Sequence, residues 1–221
     1  MAKDAWFQFE DISWLAVKKG DPARIVELLS LSGPVEASWN EGLSAVYDDY
    51  FNPKGDQMSR VYITPLVQGW RLVLGGWFGA SSEDHLEGGQ RSYRKIAAEC
   101  RKLSTVFGQA GAFTLQWRMV WFSWILARDG RVYRQVVFED GQFLTNRGRP
   151  TRVEARLRSE FEPEEALEKW APDVGVVPAI AGEVSVDLWK LGKDARSVGQ
   201  GFLAVTPWGQ KHGIPERDLD D

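Results

Sequence analysis

The sequence predicts an α+β protein in which antiparallel β-meander sheets are flanked by helices. Apolar and polar residues alternate along residues 113–119, and two Asp-Gly pairs, at 129–130 and 140–141, separate apolar runs. Between Tyr93 and Phe107, apolar residues recur at helical spacing. Alternation is the period of a half-buried strand, Asp-Gly favours a tight hairpin turn, and the third spacing is that of an amphipathic helix.

The chain has 221 residues, of which 43% are hydrophobic, so it can bury a sizeable core. A polar, glycine-rich stretch at residues 80–90 is predicted to be a mobile exposed loop. We therefore expect two closely packed lobes, residues 1–90 (helices plus a hairpin) and residues 91–221 (a helix, an antiparallel meander and short helices). A single domain remains the alternative.

Two helices are predicted near the start of the chain. Gly20 is suited to end the first, whose helical spacing is carried by Ile12, Leu15 and Ala16. Asp21 followed by Pro22 has the form of an N-cap and a first helical position. The second helix is therefore expected to begin at once.

A capping box and a change of period organise the rest of the first lobe. In residues 38–41, Ser and Glu can satisfy each other's free backbone amides, which predicts a helix through Tyr47. An acidic loop is expected over residues 48–56. The strand-like residues 61–64 and 70–76 then predict a hairpin.

The second lobe is predicted to begin with a helix that Gly108 closes and that buries Cys100. A meander of three or four strands follows, joined by the Asp-Gly turns. A second capping box at residues 151–154 opens a short helix. The remaining predicted elements are short helices at 163–170 and 174–182 and a last strand at 201–206.

The composition argues against several classes of protein. The 31 acidic residues outnumber the 27 basic ones, a poor match to a nucleic-acid binder, which needs a basic field. The longest apolar run, residues 119–127, is too short to span a membrane, and the first residues lack the features of a signal peptide. A single cysteine fits a reducing compartment, so we expect a cytoplasmic protein.

Few residue patterns point to catalysis. The two histidines, His85 and His212, lack the spacing that places two imidazoles on one metal ion. There is no Gly-x-Ser-x-Gly elbow, and Gly192-Lys193 lacks the remaining residues of a phosphate-binding loop. We therefore expect no enzymatic activity, no metal and no cofactor.

Charged clusters are the candidates for binding. Acidic residues concentrate on the predicted loops at 48–56 and 80–90, close to aromatic residues, as suits a protein that covers a basic surface. Five arginines lie between Arg147 and Arg158. They could grip phosphates or an acidic partner, or form a solvated face paired with Glu154 and Glu160.

The order of motifs resembles a family of uncharacterised bacterial proteins found among the immunity proteins of polymorphic and type VI secreted toxins. The resemblance covers about residues 61–188. Its motifs are YITPLVQGWRLVLGG (62–76), LSTVFGQAGAFTLQWR (103–118), WILARDGRVYRQVVFEDG (124–141), GRPTRVE (148–154) and PAIAGEVSVDL (178–188). The resemblance implies a shared fold and an inhibitor that binds a cognate toxin domain and occludes its active site.

The first functional hypothesis is therefore an immunity protein, with acidic loops that steer a basic toxin and tryptophans that supply affinity. The expected toxin-binding residues are Asp48, Asp49, Asp56, Trp77, Glu83, Asp84 and Glu87. The arginine run, or exposed tryptophans such as Trp77 and Trp208, could form the interface instead. Two alternatives stay open: an enzyme or small-ligand-binding domain with a pocket between the lobes, and an interaction module without a toxin.

Overall fold

The computed structural model describes residues 11–51, 56–81, 91–158, 175–191 and 197–214. Its strands are β1 (Asp11–Lys18), β2 (Ser32–Ala37), β3 (Arg60–Ile63), β4 (Leu66–Val67), β5 (Trp70–Leu74), β6 (Ala80–Ser81), β7 (Arg91–Ser92), β8 (Gln109–Gln116), β9 (Trp121–Arg128), β10 (Arg131–Glu139), β11 (Gln142–Gly148), β12 (Ser197–Val198) and β13 (Gly201–Val205). Its α-helices are α1 (Pro22–Leu28), α2 (Trp39–Phe51), α3 (Tyr93–Phe107), α4 (Arg152–Arg158), α5 (Val176–Val184) and α6 (Pro207–His212). The predicted α+β class with an antiparallel meander is confirmed.

A large antiparallel sheet organises the molecule. Nine strands follow one another in the order β11, β10, β9, β8, β1, β5, β3, β13, β2, with β4 paired to β5 and β12 paired to β4. Strand β1 lies between β5 and β8, so residues on both sides of the predicted lobe boundary contribute to the same sheet. The short strands β6 and β7 form a separate parallel pair.

The predicted first helix is wrong, because residues 11–18 form the central strand β1. Trp14 is packed in the core on one face of the sheet, and Leu15 in the core on the other. A strand covered on both faces carries a continuous apolar run with no alternation. Such a run contains helical spacings by chance, which explains the error.

Each face of the sheet is covered by helices. One core cluster contains Trp14, Phe113 and Trp124 and extends to α2 and α5. The other contains Leu15 and Ile125 and extends to α1 and α3. The sheet is therefore the middle layer of the structure.

The predicted helix caps are confirmed. Asp21 Oδ2 accepts from the backbone N–H of Arg24 at 2.8 Å, with Pro22 opening α1. Ser38 and Glu41 satisfy each other's amides at the start of α2, at 2.8 and 3.3 Å. Helix α3 ends at Gly108, as predicted, and Cys100 is fully buried on its inner side.

The acidic loop predicted at residues 48–56 is wrong over its first half, because α2 continues through Phe51. The predicted hairpin is confirmed, since β3 pairs with β5. Strand β13 and helix α5 match the predicted last strand and the helix at 174–182 within a few residues. The helix predicted at 163–170 lies outside the described residues, as does the loop at 80–90 beyond Ser81. Among the described helices, none is long and apolar enough to cross a membrane.

Strands β8 to β11 form the four-stranded meander, and its two Asp-Gly turns have the predicted geometry. The φ angles are 47° and 76° at Asp129 and Gly130, and 50° and 78° at Asp140 and Gly141. Positive φ at both central residues is the signature of a type I′ turn, whose twist matches that of the paired strands.

We expect Gly130→Val to lower the free energy of unfolding by about 1 kcal/mol or more, because a β-branched residue is strained at positive φ. Gly141→Val is the matched control for this strain, since a Cβ there would meet nothing within 4 Å. A Cβ on Gly130 would lie 2.7 Å from Thr105 Oγ1, so Gly130→Val should cost more. Urea unfolding of both variants measures the difference, and an unchanged Gly130→Val would contradict the turn.

Candidate functional site

The structure separates the residues predicted to bind a toxin. Asp48 is exposed on α2. Asp49 is only 2% exposed, and its Oδ2 accepts from Arg60 Nε at 2.7 Å. Trp77 is 6% exposed and packs under the guanidinium of Arg91, 4.0 Å from the ring centroid. The expectation that Asp49 lies on a solvated loop and that Trp77 is an exposed tryptophan is therefore wrong.

The other predicted contact residues are placed less fully. Asp56 begins the 3-10 turn Asp56–Met58, and its side chain is outside the description. Glu83, Asp84 and Glu87 lie outside the described residues, as does His85. Their contact with a toxin stays a prediction.

Groups that could carry chemistry are few in the described part of the chain. Burial raises the pKa of the Cys100 thiol, which lies 3.8 Å from the carbonyl oxygen of Ile125. The ring of His212 stacks on Trp208, with centroids 3.6 Å apart. Within the described ranges, no three His, Cys, Asp or Glu side chains lie close enough together to hold a metal ion.

The connection from β8 to β9 carries three exposed large apolar side chains, which we call the apolar tip: Trp117, Met119 and Val120. They are 52%, 57% and 45% exposed. Strand β8 ends at Gln116, and a 3-10 turn over Trp117–Met119 leads into β9. Three adjacent side chains of this size in water point to a contact surface.

The backbone of the apolar tip is strained. Val120 has a φ of 47° and a left-handed conformation, which costs an L-residue about 1–2 kcal/mol and is rare for β-branched side chains. Its N–H donates to the carbonyl of Trp117 at 3.1 Å. The next residue, Trp121, is buried and donates its Nε1–H to the carbonyl of Ala80 at 2.9 Å. The base of the tip is thus fixed, and strain of this kind concentrates at functional sites.

The sequence did not reveal the apolar tip. The alternation that predicts a strand places Trp117 and Met119 on its buried face, whereas β8 ends one residue before Trp117. No glycine, proline or Asp-Gly pair marks this turn. The available signal was the run of four apolar residues at 119–122, which interrupts the alternation.

A cleft of about 570 Å³ lies at the other end of β9, beside the Asp129-Gly130 turn. We call it the basic cleft. Its cationic lining residues, all exposed, are Lys18, Arg128, Arg149 and Arg152. Lys18 Nζ donates to Gln109 Oε1 at 2.9 Å, so the lysine is held at the rim. Two arginines of the run at 147–158 thus line a concave surface.

A β-bulge places Tyr133 in the basic cleft. Val132 pairs with Ala127 and Arg134 with Leu126, which leaves Tyr133 without a partner on β9. A bulge re-aims a side chain in this way. Burial raises the pKa of Tyr133, with Arg128 acting against this and Glu183 adding to it, so the phenol keeps its proton at neutral pH. Gly148 is required opposite the bulge, because a Cβ there would lie 2.0 Å from the carbonyl oxygen of Tyr133.

A buried ion pair holds the cleft's outer wall. Arg134 and Glu154 are 1% and 0% exposed, and Arg134 Nε donates to both carboxylate oxygens at 3.0 Å. The same guanidinium donates to the carbonyls of Arg147 and Gly148, at 3.0 and 3.1 Å. Glu154 also accepts from the backbone N–H of Thr151 at 2.8 Å, completing the predicted capping box. Glu154 is therefore paired with Arg134 and not with the arginine run, as the alternative of a solvated face assumed.

Comparison of the chain with models of known protein families, with curated proteins and with solved structures gave no match.

Removing one partner of the buried pair should destabilise the protein strongly. We expect Arg134→Met and Glu154→Leu each to cost about 3–5 kcal/mol, because each leaves the other charge buried and unpaired. The double variant should cost at least about 1 kcal/mol less than the sum, since neither charge remains. Urea unfolding measures all three. Arg24→Met, which breaks the exposed Arg24–Glu27 pair, is the control and should cost under about 1 kcal/mol. Strict additivity of the two single variants would contradict the coupling.

Proposed function

We propose that this protein is an immunity protein: a cytoplasmic, stoichiometric inhibitor that binds one cognate secreted toxin domain and occludes its active site. The apolar tip is the principal contact in this proposal. The observation that carries it is the exposure of Trp117, Met119 and Val120 on a strained turn with a fixed base.

The shape and composition of the apolar tip suit an inhibitor. Tryptophan is enriched among the residues that dominate binding energy, and such residues act in pockets from which water is excluded. A turn at the end of a strand pair protrudes, so it can enter a concave active site. Because the base is already fixed by Trp121, little conformational entropy is lost on binding.

The resemblance to immunity proteins adds support. Its second motif, residues 103–118, contains helix α3, strand β8 and the first two residues of the tip's turn. An inhibitor also needs only a complementary surface, so this function asks for no catalytic group. Asp48, together with Glu83, Asp84 and Glu87, would then steer a basic toxin, whereas Asp49 is committed to Arg60.

The first test removes the apolar tip. Trp117→Ala should weaken binding to the toxin encoded beside this gene by about thirtyfold or more, as expected for an interface hot spot. The melting temperature should hardly change, because the side chain is half exposed. Trp189→Ala, at 46% exposure, is the matched control and should bind normally. Titration calorimetry and protection of cells on co-expression measure both variants.

The two parts of the proposal fail in different ways. If Trp117→Ala binds as tightly as the wild type, the toxin is bound elsewhere and the tip has another role. If the wild-type protein neither binds the neighbouring product nor protects cells from it, the immunity function itself is wrong.

A second test uses the strained residue. Val120→Gly should raise the free energy of unfolding by up to about 1 kcal/mol, since glycine adopts positive φ without steric cost. The same variant should bind the toxin more weakly, because the tip loses an apolar side chain and becomes more flexible. Urea unfolding and calorimetry separate the two effects. A variant that is less stable than the wild type would show that the turn is not strained.

A further inference from the structure

We propose that the basic cleft binds a small organic phosphate of nucleotide size, with its phosphate at the arginines and its flat ring against Trp70 and Tyr133. This site is separate from the apolar tip, since β9 runs between them over a length of about 25 Å. The inference therefore stands independently of the proposed function.

The charge of the basic cleft favours an anion. Four cations line it, and its carboxylate, Glu183, is already used. Glu183 accepts from the backbone N–H groups of Arg152 and Val153, at 3.1 and 2.9 Å. Neither Arg128 nor Arg149 forms an ion pair within the described part of the chain. On a chain whose net charge is -4, this local excess of positive charge requires an explanation.

The chemistry of the cations points to phosphate. A guanidinium presents a planar fork of donors that matches two phosphate oxygens, and its charge is permanent. Arg128 comes from the end of β9 and Arg149 from the segment between β11 and α4. The two side chains therefore approach from different elements, and the second is held by the carbonyl contacts of Arg134 to residues 147 and 148.

The other lining residues point to a ring. Trp70 is half-buried and Tyr133 is exposed, and both line the cleft beside Ala110 and Gly111. Aromatic side chains stack on nucleobases of any identity. The volume of about 570 Å³ is larger than inorganic phosphate needs and lies within the range of small-molecule sites. The phenol of Tyr133 adds a hydrogen-bond donor for a phosphate or ribose oxygen.

Calorimetric titration with AMP, ADP and inorganic phosphate at low salt tests the inference. We expect AMP and ADP to bind, and Arg128→Gln and Arg149→Gln each to weaken their binding about tenfold or more. Trp70→Leu should weaken AMP binding while leaving any binding of inorganic phosphate unchanged.

Arg131→Gln is the matched control. Arg131 is also exposed and lies across the same turn, but it lines a different depression, on the α3 side of the sheet. It should change nucleotide affinity less than about twofold if the basic cleft is the site. Equal losses for Arg128→Gln and Arg131→Gln would show unspecific attraction and overturn the inference. So would the absence of nucleotide binding, inorganic phosphate binding as tightly as AMP, or a loss of toxin binding alone in Arg128→Gln.

Discussion

The buried ion pair between Arg134 and Glu154 is the constraint on which the wall of the basic cleft depends. Two charges are withdrawn from water there, which is tolerated only when each is fully hydrogen-bonded. Arg134 therefore holds two carbonyls of β11, and Glu154 caps the helix of which it is part. The pair thus fixes the distance between the meander and α4, and with it the place of Arg149 and Arg152. Helix α5 is tied to the same unit, because Glu183 caps α4 from outside.

Local signals in the sequence predicted local structure well. The caps at Asp21, Ser38 and Thr151 and both Asp-Gly turns form as expected, because each depends on residues within a few positions of one another. The errors occur where distant partners decide. Strand β1 reads as a helix because its neighbours, β5 and β8, lie far along the chain and cover both of its faces. Likewise, Asp49 appears solvated until folding brings Arg60 to it.

The candidate surfaces could be predicted only in part, for the same reason. The arginine run is visible in the sequence, but Lys18 and Arg128 join it only through the order of the strands. The apolar tip depends on where β8 ends, which no turn-forming residue announces. Net charge misled in a related way, since it averages an acidic surface with a basic one. An apolar surface and a basic one then lie at the two ends of the same strand, where each can act without the other.

The order of strands in the sheet also determines when it can be completed during synthesis. Strand β13, near the C-terminal end of the described chain, lies between β2 and β3, which come from the first third. While a ribosome is still making residues 201–205, β2 and β3 lack the neighbour that joins them. The meander from β8 to β11 needs no such late partner, because its strands are consecutive in the chain. A nascent chain would therefore hold both binding surfaces on its early-forming part and carry an open seam until translation nears its end.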